Sequence, residues 1–159
     1  MESVKTMSKI IKEIESEVAG KELELDNVTF TDCIINAILA IDKLLRIDAV
    51  LVITSGGYTA RMLASKKLRP KIIAITTKNK VFRQMNILWG VIPLLTTANI
   101  DRITDEGKKE AIMSGVKKGL INKTDHIVIS GSVFNFKTKR TNMLEMHNVN
   151  EFLEHMGKI

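Results

Sequence analysis

The sequence predicts an α/β fold, a mostly parallel sheet covered by helices on both faces, and three observations predict it. Four short runs, Ala49–Thr54, Ile72–Thr76, Val91–Leu95 and His126–Ser130, are almost continuously apolar and mostly rich in β-branched residues. Strands without polar alternation are covered on both faces, as in a parallel sheet between helix layers. Helical stretches at about 58–68, 80–88 and 104–118 separate these runs. The resulting β-α-β-α-β-α-β order calls for right-handed crossovers. Finally, 159 residues, 45% of them apolar and 26% charged, suffice for one core and one domain spanning 1–159.

The elements follow in order. Val4, Met7, Ile10, Ile11, Ile14 and Val18 recur at steps of three and four, which predicts an amphipathic helix over 2–19, stopped at Gly20. Thr31 is placed to cap a second helix, with Asp32 in its first turn. From Cys33 to Leu45 this helix is apolar nearly all round and is expected to be buried on most sides, with Cys33 a small buried hydrophobe. Pro93 lies within the third apolar run, and a proline there demotes that strand to a sheet edge. The last run, Asn142–Val149, sets Met143, Glu145 and His147 against Leu144 and Met146. That alternation reads as a half-exposed strand at the other edge. A short helix is expected in the tail.

Composition narrows the function classes. The net charge is +6, which favours anionic partners such as phosphorylated metabolites. The lysines are scattered and only 4% of residues are aromatic, against a nucleic-acid platform. No apolar run reaches the roughly 18 residues that span a bilayer, and the start soon meets charges rather than a leader. A lone cysteine suits a reducing cytoplasm.

In an open α/β sheet ligands bind beyond the carboxyl ends of the strands. Three segments arrive there. Thr54-Ser55-Gly56-Gly57-Tyr58-Thr59 joins the first strand to its helix. Its glycines let the backbone approach a ligand, its hydroxyls add donors and the helix N-terminus is positive, so it suits a phosphate; a plain turn is the competing reading. Thr76-Thr77-Lys78-Asn79 serves either as a second anion contact or as a helix cap. Gly131–Asn142 brings Lys137, Lys139 and Arg140 on a loop able to close over a phosphate, or simply a solvated hairpin. His126, His147 and His155 lack metal-ligand spacing. Neither a nucleophile elbow nor a dinucleotide or P-loop signature occurs. No catalytic constellation and no metal site are expected.

Taken in order, these pieces resemble a known family. Residues 49–76, with Thr54, Gly57, Thr59, Arg69, Pro70 and Thr76, are similar to the C-terminal α/β domain of pyruvate kinase. So are Arg83-Gln84 with Gly90-Val91-Ile92-Pro93, then Gly115, Gly119 and Asn122–Asp125, and finally Gly131 with Thr141-Asn142. The resemblance covers about 2–149. It implies a three-layer α/β/α fold whose five-stranded sheet has the order 3-2-1-4-5, the last strand antiparallel. It also implies a regulatory and oligomerisation domain that binds a phosphorylated activator at Thr54–Thr59 and contacts its own copy through 142–149. Catalysis, with Mg²⁺ and K⁺, belongs to a separate barrel, which is a further expected partner; this domain carries no cofactor.

Two departures qualify that picture. Gly107 stands where the family has an arginine for a second phosphate, leaving Arg102 or Lys108 as substitutes, and the family's nearby loop tryptophan is missing. The last loop is lysine-rich where the family's is glycine-rich. Both point away from fructose 1,6-bisphosphate and toward a monophosphate, another sugar phosphate or no effector. The alternative function is a stand-alone enzyme acting on a small phosphorylated substrate, with Lys78 or His126 for acid–base work.

Overall fold

The structure is a computed structural model that describes residues 4–9, 28–97, 104–132 and 141–157. Residues 4–9 are helical (α1); the rest of the helix expected over 2–19, and its Gly20 stop, lie outside the described residues. The chain continues through α2 (Phe30–Leu45), β1 (Ala49–Ile53), α3 (Tyr58–Ser65), β2 (Lys71–Thr76), α4 (Asn79–Met85), β3 (Val91–Leu95), α5 (Asp105–Lys117), β4 (His126–Gly131), β5 (Met143–Asn148) and α6 (Val149–Met156). The strands form one five-stranded sheet in the order β3-β2-β1-β4-β5. β1 pairs in parallel with β2 and β4, and β2 with β3, while β5 runs antiparallel to β4.

Every residue of β1 is buried, so the central strand is covered on both sides, as its unbroken apolar sequence requires. Val50 and Val52 pack with Ile35, Ile38, Leu63 and Met85 in one apolar layer. Ala49, Leu51 and Ile53 pack with Ile112, Ile121 and Phe152 in the other. Helices α2, α3 and α4 thus cover one face and α5 and α6 the opposite one. Burying each such Ile, Leu or Phe stabilises by about 1.5–3 kcal/mol. Pro93 sits in edge strand β3 opposite Ala74, where its missing N–H breaks no outer ladder.

Three expectations for α2 are corrected. The N-cap is Thr29: its side chain accepts from Asp32 N, and the Asp32 carboxylate accepts in return from Thr29 N at 2.9 Å. Two orphan amides are satisfied by that reciprocal box, and Thr31 is instead buried inside the helix. Cys33 is exposed, not buried. The helix buries Thr31, Ile35, Ile38 and Leu39, whereas Phe30, Leu44 and Leu45 face outward. Only one stripe touches the sheet, so an almost all-apolar sequence overstated how much of the helix is covered.

Strand order grows in one direction through β1, β2 and β3, then jumps back across β1 to β4. The helices change faces with that reversal. Crevices form at such a switch point, beyond the carboxyl ends of the strands. Here that places the turn after β1 beside the end of β4.

Candidate anion-binding turn

Three features build the turn from Thr54 to Thr59. Thr54 N donates to Ile75 O at 2.9 Å, fixing the end of β1 against β2. The Thr54 Oγ1 then accepts from Gly57 N at 2.8 Å and lies 3.4 Å from Gly56 N. Gly57 occupies the N-cap of α3 with φ 75°, a left-handed conformation that a Cβ disfavours. A side chain there would also meet Val81 and Met85 of α4. The motif's threonine and glycine therefore act together to reverse the chain and start the helix.

This changes which groups are open to a ligand. The Gly57 amide, expected to face a phosphate, is spent on Thr54. The first intrahelical bond is Arg61 N to Gly57 O, so the amides of Tyr58, Thr59 and Ala60 precede it and have no intrahelical acceptor. Ser55, Gly56 and Tyr58 are exposed beside them. Thr59 is 5% exposed, and its hydroxyl is hydrogen-bonded to that of Thr141, which is also 5% exposed. Asn142 N in turn donates to Gly131 O at 3.0 Å. The structure thus ties the far end of the last loop to the first turn of α3. Lys137, Lys139 and Arg140 themselves lie outside the described residues. Thr141 is the contact that sequence reasoning noted only as part of a family segment; a hydroxyl partner 82 residues away leaves no local signal.

The other candidates fall elsewhere. Thr76 Oγ1 accepts from Lys78 N at 3.3 Å, a small turn feeding α4, whose N-cap is Lys78 and makes no side-chain cap bond. Lys78 follows the carboxyl end of β2, whereas His126 opens β4 at the opposite edge of the sheet. They cannot share one reaction centre. Arg102 lies outside the described residues. Lys108 is 8% exposed, and its ammonium lies 2.7 Å from Asp105 and 2.9 Å from Glu145. Burial alone would lower its pKa, yet the hydrogen bonds it donates to these two carboxylates raise it. Glu145 also meets His147 Nε2 at 3.0 Å, and that ring stands edge-on to Phe152. Lys108 is therefore the hub of a carboxylate network and not a replacement for a phosphate-binding arginine. Among the described residues, no group of three His, Cys, Asp or Glu is placed to hold a metal ion, and no helix is long and apolar enough to cross a membrane.

The remaining motif residues have structural parts. Arg69 donates to Asp42 at 2.5 Å and to Ile47 O at 3.4 Å, pinning the end of α2 to the approach to β2. Pro70 is buried behind it.

Comparison with known proteins agrees with this architecture. The family model described as "Pyruvate kinase, alpha/beta domain" matches residues 32–147. The pyruvate kinases of Staphylococcus aureus strains USA300, NCTC 8325 and bovine RF122 are each 31% identical over 155 residues, covering 94% of this chain and 26% of the relative. The chain spans about a quarter of the length of these curated relatives. With its sheet order, antiparallel last strand and ordered motifs in place, the chain belongs to the pyruvate kinase α/β-domain family.

Proposed function

We propose that this domain is a regulatory and subunit-contact module that binds a small phosphorylated metabolite at the β1–α3 turn and performs no catalysis by itself. The observation that carries the reading is the Thr59–Thr141 contact. It brings the end of the lysine-rich loop to a helix start whose first amides have no intrahelical acceptor. A phosphate on those amides and the Ser55 hydroxyl gains from the positive helix end, and Lys137 and Arg140 would close over it. The parent reaction, phosphoenolpyruvate and ADP to pyruvate and ATP, belongs to a catalytic barrel, with its Mg²⁺ and K⁺. We place the protein in the cytoplasm and its self-contact along edge strand β5, whose outer side pairs with no described strand.

Titration calorimetry with glucose 6-phosphate, AMP and fructose 1,6-bisphosphate tests the site, with sedimentation run on the same samples. A saturable isotherm with a monophosphate, diminished in Gly57→Asp and in Lys137→Ala/Arg140→Ala, is expected together with a dimer. No heat with any of them would remove the ligand reading, and a strict monomer at high concentration would remove the strand contact.

A further inference from the structure

At the amino ends of the strands a cleft of about 220 Å³ opens between the C-terminal ends of α2 and α3. It is lined by Lys43, Arg46, Lys67 and Arg69, against the single carboxylate of Asp42, with Leu39 and Leu68 as its apolar floor. The ordinary explanation of cations here is the helix dipole, whose negative end they complement. That role is already filled by Lys43 in the last turn of α2 and by Lys66 at the C-cap of α3.

The backbone adds an independent observation. Among the described residues, only two that are not glycine have positive φ: Arg46 at 50° and Lys67 at 49°. Both line this cleft. Helices commonly close on such a left-handed residue, and glycine is the usual choice because a Cβ is disfavoured there. At two neighbouring helix ends this chain has a long cation where glycine would close the helix without strain. Strained backbone kept at two points of one cavity points to a use for the side chains it presents.

Those side chains define the ligand. Arg46 makes no side-chain hydrogen bond or ion pair among the described residues, and Lys67 holds only a distant position, 6.0 Å, over the Trp89 ring. Arg69 is oriented by Asp42 and Ile47 O, leaving part of its planar fork for another acceptor. Two guanidinium forks and an ammonium match the bidentate geometry of a tetrahedral oxyanion better than that of a spherical one. We infer that this cleft is a second anion site, taking inorganic phosphate or the phosphate of a small phosphomonoester. It is separate from the β1–α3 turn and lies at the opposite ends of the strands.

The test follows the amide resonances of Arg46 and Lys67 by NMR while inorganic phosphate, glycerol phosphate, succinate or chloride is added at matched ionic strength. Both phosphates are expected to give saturating shifts at these amides, and the stronger of the two identifies the source. The same titration in Gly57→Asp should leave these shifts in place, which separates this cleft from the turn. Arg46→Gly with Lys67→Gly removes the charges and relieves the backbone. It should weaken phosphate binding about tenfold or more, while its melting temperature holds or rises. Arg46→Asn, neutral and tolerant of the same backbone, should weaken binding without the gain from glycine. Shifts that chloride reproduces, or that do not saturate, overturn the inference, as does a glycine variant that titrates like the wild type.

Discussion

The Thr59–Thr141 contact can be measured by a double-mutant cycle with Thr59→Val and Thr141→Val, singly and together. Valine keeps the shape and removes the hydroxyl. Both residues are 5% exposed, so each single variant leaves one buried hydroxyl without its partner, at a cost of about 1–3 kcal/mol. The singles are not equivalent. Thr59 lies in a helix, where a threonine hydroxyl can turn to a carbonyl of the preceding turn; Thr141, outside any helix, has no such recourse. Thr59→Val, which orphans Thr141, should therefore be the more damaging. The double variant replaces two bonded hydroxyls by two methyls and should cost less than the sum of the singles by about 1–3 kcal/mol. Urea unfolding followed by the fluorescence of Trp89, the sole tryptophan, reads all four proteins, and an unchanged slope shows that only stability has moved. Singles that add up to the double would show that the two hydroxyls do not interact, and the loop would lose its anchor to α3.

Two further outcomes follow from packing and charge. A Cβ at Gly115 would come within 3.0 Å of Ile121 Cδ1 and 3.1 Å of its Cγ1. Gly115→Ala should thus destabilise by about 1 kcal/mol by urea unfolding, even though alanine favours helix by about that much; Ile121→Val, which removes Cδ1, should recover part of it. The Lys108 network predicts a pH dependence. Burial works to raise the pKa of Glu145, but hydrogen bonds from Lys108 and His147 hold it below the ordinary 4.5; the Lys108 bond likewise lowers Asp105. Groups depressed in the folded state stabilise above their unfolded pKa and lose that contribution as pH falls through the folded value. Lys108, raised in the fold, contributes fully below 10.5 and loses that as pH rises through its folded value. Thermal melts of Lys108→Met should therefore show a flatter fall in stability below about pH 4.5 than the wild type, and equal slopes would refute the network's role.

The sheet was legible in the sequence because burial on two faces leaves a plain mark: β1 and β4 carry no polar alternation. Edge positions were legible too, since Pro93 cannot donate to a ladder and Met143–Asn148 mixes polar and apolar residues. What failed was local competition between similar residues. Thr29 and Thr31 are both good caps, and only the reach of Asp32, three residues after Thr29, selects the first. Cys33 sits in an apolar run, yet helical periodicity turns it to the side of α2 away from the sheet. At the candidate turn, sequence named the residues but not their bonds. The Thr54 hydroxyl satisfies the very amide that the glycine pattern offered to a phosphate. Lys108 was offered, with Arg102, as a substitute for the arginine missing at Gly107; its neutralisation by Glu145, 37 residues away, needs the sheet to be assembled first.

A mostly parallel α/β sheet points the crossover-helix N-termini to one edge and their C-termini to the other, and this decides how each edge can hold an anion. At the β1–α3 turn the backbone itself carries partial positive charge, so an anion there would need little more than the neighbouring hydroxyls. At the edge where α2 and α3 end, carbonyls present the opposite sign, and an anion is repelled unless side chains outweigh them. Arg46, Lys67 and Arg69 stand at that edge, two of them on backbone that disfavours any side chain. Charge that merely kept the protein soluble would be equally useful on relaxed backbone anywhere on the surface. Its concentration at strained positions around one cleft, at the edge where the fold is least hospitable to anions, is what a binding role explains and a solvation role does not.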